Sequence, residues 1–156
     1  RIMLNLRLLV LSGVFGVLGG CATVPAQNYQ FDNSRTYSNK TYDQVWDGLI
    51  GFLTSNNIPI KTIEKDSGVI YSETDNFSKP AFSKFFPIAD CGQPPLFWTA
   101  GVAYGSFNIF VSKATPQPKV TVTTTISQQI RYENQISQLN CNSIGNFEKA
   151  VLDSIK

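Results

Sequence analysis

The chain has 156 residues, with 13 Lys and Arg against 11 Asp and Glu, and no histidine. Its first twenty residues hold Arg1 and Arg7 and no acid, so the remainder carries 11 cations against 11 anions, which argues against a nucleic-acid binder that works through a general basic surface. The lack of histidine rules out Ser-His-Asp and Cys-His catalysis, His-ligated zinc or haem and histidine pH switching, while 42% hydrophobic and 12% aromatic content excludes a wholly disordered chain and the length suits one domain.

Residues 1–7 form a short positive region, and Leu8 to Leu18 follow as an apolar run. A bilayer core needs about 20 apolar residues in a helix. This run is shorter, and has the length of a signal-peptide core. The precursor is expected to start at Met3 or upstream of Arg1. The string Leu18-Gly19-Gly20-Cys21 resembles the bacterial lipobox. That resemblance implies a diacylglyceryl group on the Cys21 thiol, cleavage just before Cys21, and acylation of the new amino terminus. The plainer alternatives are an ordinary secretory leader with a chance cysteine, or a core helix. Several acyl chains on one residue anchor durably, since each buried methylene contributes about 0.8 kcal/mol. Ala22 stands where an Asp commonly marks inner-membrane retention in such lipoproteins. The resemblance therefore implies the outer membrane, and the domain is separately expected to face the periplasm. Residues 1–20 are read as signal peptide, 21–30 as a lipid-anchored tether containing Pro25, and 31–156 as a single domain.

With Cys21 as the lipid site, Cys91 and Cys141 remain. An exported chain matures in an oxidising compartment, so these two are expected to form a disulfide. The alternative is a pair of reduced, buried thiols. Two cysteines without histidine make a poor zinc site, and there is no C-x-x-C redox motif. No metal and no cofactor is expected.

Phe31 to Ser38 reads as a short first strand. Thr41-Tyr42-Asp43-Gln44 fits a capping box opening a helix. Tyr42, Val45, Trp46, Leu49, Ile50 and Leu53 follow at helical spacing, and Ser55-Asn56-Asn57 ends the run. Ile58, Ile60 and Thr62 alternate as a strand, and Glu64 to Gly68 turn, with Gly68 suited to positive φ. Val69 to Glu73 return as the hairpin partner.

Thr74 to Ala103 reads as a long connection, broken by Pro80, Pro87, Pro94 and Pro95 and carrying Cys91. It is rich in rings: Phe77, Phe82, Phe85, Phe86, Phe97 and Trp98. Either these cover one end of the core, or some stay exposed as a partner or ligand surface. Phe107, Ile109 and Val111 share one side of the next strand, and Val120, Val122 and Ile126 point inward from its partner. Two strands with one polar face imply an antiparallel sheet covered on one side. Gln128 to Asn140 is open between strand, loop and helical turn. In 143–156, Phe147, Val151 and Ile155 recur at four-residue spacing as a short amphipathic helix, with Glu148 placed to suit its dipole.

The fold class is therefore α+β: an antiparallel sheet of four to five strands with two helices packed on one face, a helix-grip arrangement. The stretch from Tyr42 through Ile60 to Ile70 is similar to the corresponding part of BamC-type outer-membrane lipoprotein domains. That resemblance implies an interaction or assembly module and offers no catalytic residues.

No catalytic residue is singled out: eleven acids are present, but no spacing pairs two of them. The expected function is a non-catalytic, lipid-anchored envelope protein. Its partners would be membrane lipid, through acylated Cys21, and an envelope protein. The alternative is a binder or carrier of a small apolar ligand, held between sheet and helix under the aromatic loop.

Overall fold

A computed structural model describes residues 23–113 and 117–156. The leader and Cys21 lie outside the described residues.

The described chain runs β1 (Ser34–Thr36), α1 (Tyr42–Ser55), β2 (Thr62–Glu64), β3 (Val69–Tyr71), β4 (Asp75–Asn76), a 3₁₀ turn (Pro80–Phe85), β5 (Ala89–Asp90), β6 (Thr99–Ser112), β7 (Lys119–Tyr132), β8 (Gln135–Ser143) and α2 (Asn146–Asp153). All strand pairs are antiparallel. The sheet order is β2-β3-β6-β7-β8-β5, with β1 added on β7 and β4 on β6. The fold is thus α+β, but the sheet has eight strands rather than the four to five expected.

The extra strands arise in two places where local pattern is weak. Residues 128–140 continue β7 to Tyr132, turn at Glu133 and Asn134, and return as β8. Much of this arm is exposed and polar on both sides, so it shows no alternation of apolar and polar residues. The proline-rich connection also contributes β4, β5 and the start of β6, each held by pairing with a distant strand rather than by its own sequence.

α1 opens as its sequence predicts. The Thr41 hydroxyl accepts from the Gln44 N–H, and the Gln44 side chain accepts from the Thr41 N–H. The β2–β3 hairpin begins later than expected, at Thr62. Ile58 instead follows the helix end, its N–H donating to Leu53 O at 3.0 Å, and its side chain enters the core. Gly68 has φ +74°, the turn conformation that glycine adopts without strain.

One hydrophobic cluster holds the fold together. It contains Val45, Trp46, Leu49 and Leu53 of α1, Phe107, Ile109 and Val111 of β6, Val120, Val122 and Ile126 of β7, and Phe147, Val151 and Leu152 of α2. The strand members alternate, so the intervening residues point the other way. Tyr104, Asn108 and Phe110 of β6, with Tyr71 of β3, are accordingly exposed on the opposite face.

Candidate functional site

The segment after Cys21, read as a tether, is bound along the domain over its described length. The N–H of Val122 donates to Asn33 O at 2.8 Å. The Phe31 side chain lies against Gly145. Further toward the amino terminus, Asn142 Nδ2 donates to Asn28 Oδ1 at 2.9 Å and to Gln27 O at 3.1 Å. Gln93 N–H donates to Val24 O at 2.8 Å, where the two residues form an antiparallel bridge. The approach is close because Gly92 has φ +69° and no side chain: a Cβ there would lie 2.1 Å from Val24 O.

Asp90 is the centre of this strap. Its Oδ1 accepts the Gly92 N–H at 2.7 Å, and its Oδ2 accepts the Gln27 N–H at 3.2 Å and the Tyr29 hydroxyl at 3.1 Å. These donors, the Gly92 N–H foremost, hold the Asp90 carboxyl below the usual carboxylate range. By composition this short, uncharged, proline-containing stretch is expected to be a tether. Its backbone groups in fact find partners on Asp90, Gln93 and Asn142, which lie 63–116 positions later and leave no mark on the stretch itself.

The strap lies beside the disulfide. Cys91 and Cys141 are bonded, the pairing expected from the sequence. Cys91 directly follows β5, which pairs Ala89 with Ser143 and Asp90 with Asn142. The bond therefore fastens the connection to β8 where the strap also attaches.

The six aromatic side chains singled out as a surface separate into two groups. Phe77, Phe82 and Phe85 are buried in the core. Phe77 and Phe82 have ring centroids 4.7 Å apart, and Phe85 meets Phe147 at 5.4 Å. The reason is the 3₁₀ turn: residues three apart lie over one another, so Phe82 and Phe85 point to the same side. Phe86, next in sequence, is exposed. Phe97 is also exposed, and Trp98 is half-buried with its ring 5.9 Å from Tyr132. Phe82 and Phe107 pack against Phe147 of α2, and all three are fully buried.

One site was missed by the sequence reading. β1 accompanies β7 only over residues 119–121, and β8 only over 126–132. The break between them opens a groove lined by Asn33, Thr124, Asn142 and Ser143, with Tyr29 and Phe31 on the strap side. Glu148 closes its floor and is 1% exposed. The Thr124 hydroxyl donates to Glu148 Oε1 at 2.7 Å and the Ser143 hydroxyl to Oε2 at 2.9 Å. The signal was present in the run Val120 to Ile126, where Thr124 stands at the same parity as inward Val122 and Ile126. A hydroxyl on a core-facing position calls for a buried partner.

The groove is lined by a single carboxyl, and each of its oxygens accepts a hydroxyl, from Thr124 and from Ser143, so the groove presents no acid pair for proton transfer. Among the described residues, no group of three or more His, Cys, Asp or Glu side chains is gathered as metal ligands would be. Among the described residues, no helix is long and apolar enough to cross a membrane. No protein-family model matches the chain, and no curated protein matches it significantly.

Proposed function

We propose that this protein is a bacterial outer-membrane lipoprotein whose folded part is a non-catalytic interaction or assembly module facing the periplasm. The observation that carries this is Leu18-Gly19-Gly20-Cys21 directly after a positive region and an apolar run. The Cys91–Cys141 bond supports it, since a disulfide persists in an oxidising compartment. On this reading the finer architecture is a helix-grip, with α1 and α2 gripping one face of the long strands. The opposite face offers the partner a broad sheet surface. There Tyr71, Tyr104 and Phe110 stand exposed among Ser, Thr and Asn side chains. Aromatic anchors in a polar surround are the usual make-up of a protein-binding patch.

Two measurements test this. Cys21→Ser should leave a larger precursor that is not acylated; unchanged mass and membrane attachment would refute lipidation. Photo-crosslinkers at Tyr71 and Phe110 in intact cells should capture one defined envelope protein, whereas the same crosslinker at buried Phe107 should not. Absence of any discrete adduct from the exposed positions would refute the interaction role.

A further inference from the structure

The tip of the disulfide-fastened loop is built to expose apolar side chains. Trp98 N–H donates to Pro95 O at 3.0 Å, closing a turn over Leu96 and Phe97. Phe97 has φ +71°, at the turn position that ordinarily takes glycine. A bulky residue held in that conformation while 75% exposed is costly for the fold and has little packing to offset it. Leu96 beside it is 66% exposed, and residues 91–98 carry no charged side chain.

The strap places this tip relative to the anchor. Followed backward from Asn33 beside Val122, through Asn28 and Gln27 at Asn142, to Val24 at Gln93, the amino-terminal segment runs toward the end of the sheet where β7 turns into β8. The loop runs the same way, from Cys91 bonded to Cys141 to Trp98 beside Tyr132. Leu96 is three residues from Gln93, hence within about 11 Å of the Val24–Gln93 bridge, and in the sequence Val24 is the third residue after Cys21. Ile136, exposed on β8 across from Arg131, lies at the same end, since Thr99 of β6 also pairs with Arg131.

We infer that Leu96 and Phe97 insert into the same bilayer that holds the acyl chains of Cys21, giving the domain a second membrane contact and a defined orientation. This rests on the lipoprotein reading. A lone anchor on a loose tether would leave the domain free to tumble. The bound strap instead brings the loop tip to the membrane, where two apolar side chains enter roughly 5–10 Å into the headgroup and acyl boundary. The uncharged loop suits apolar insertion rather than attraction to anionic lipid. Phe110 lies eleven residues along β6 from Thr99, about 36 Å further from the tip.

The full acylated chain is reconstituted into phosphatidylethanolamine–phosphatidylglycerol vesicles bearing bromine in the acyl chains. It carries Trp98→Phe with a reporter Phe97→Trp, Leu96→Trp or Phe110→Trp, and the native Trp46 is buried and serves as background. The reporters at 96 and 97 should be blue-shifted and quenched severalfold more than the one at 110. Mass spectrometry of the same sample establishes whether Cys21 is acylated. Acylated protein with reporters at 96 and 97 in water overturns the inference and leaves the lipoprotein reading standing. Reporters shielded in native membranes but unquenched in protein-free vesicles overturn it in favour of a protein partner. Unacylated Cys21 overturns the lipoprotein reading and this inference with it.

Discussion

Glu148 occupies the third position of α2, where a carboxylate is favoured by the helix dipole and by free backbone donors. That local preference explains its residue type but not its burial. It is the only buried charged or polar residue among the described residues, and it is tolerated because Thr124 and Ser143 each give it a hydroxyl proton. Ser143 in turn accepts the Gly145 N–H at 3.1 Å, so the chain of hydrogen bonds ends at the start of α2. Glu148→Leu would leave two half-buried hydroxyls without this acceptor and should cost about 1 kcal/mol in denaturant unfolding. Glu148→Gln keeps the shape and one carbonyl acceptor, and a rotating hydroxyl can accept from its amide, so its cost should be smaller. Equal losses for the two would show that volume, not hydrogen bonding, matters there.

Among the elements, the strap from Val24 to Asn33 has no regular secondary structure over most of its length, yet partners on three other segments hold it. Its hold on Asp90 depends on charge. The folded state depresses this carboxyl's pKa, so the stabilisation is fully present above the ordinary carboxylate range and is lost as the pH falls through the lower, folded value. Asp153 behaves in the same sense, held down first by Lys149 and then by Arg35. Amide exchange of residues 24–30, corrected for intrinsic rates, should therefore quicken as the pH drops below about 4, the reference value of a free aspartate. Asp90→Asn puts an amide donor where two acceptor oxygens stood and should loosen the same residues at neutral pH. Because the site is on the surface, the global unfolding midpoint should move little. Protection of 24–30 unchanged in Asp90→Asn would show that the Val24–Gln93 bridge and Asn142 hold the strap alone.

For the whole molecule, the Cys91–Cys141 bond spans 50 residues. Closing a loop of that length stabilises by about 4 kcal/mol in the chain-entropy model. Net stability of a domain this size is of the order of 5–15 kcal/mol, so the bond is a large share. Cys91→Ser/Cys141→Ser should lower the unfolding free energy by about that amount, and reduction of the wild type should reproduce the loss. The loss should be accompanied by faster exchange in β5 and in residues 91–98, because β5 consists of two residues and relies on the bond to stay on β8. A reduced protein as stable as the oxidised one would overturn this.

What could be read from the residues alone was whatever depends on near neighbours in the chain. The capping box at Thr41, the apolar stripe of α1, the turn at Gly68, the alternation in Phe107–Val111 and the Phe147–Val151 pair of α2 each appear as expected, while Ile155 is buried just past the helix end. The Cys91–Cys141 pairing also appears as expected. Tertiary structure alone decided which rings are core, since Phe85 and Phe86 are adjacent and alike yet one is buried and the other exposed. It also decided that the strap is bound, that the polar residues 128–140 complete a sheet, and that Glu148 is enclosed. Backbone geometry and face are set by neighbours a few residues apart. Burial and edge pairing are set by whatever distant segment arrives on that face, and no window of sequence contains that information.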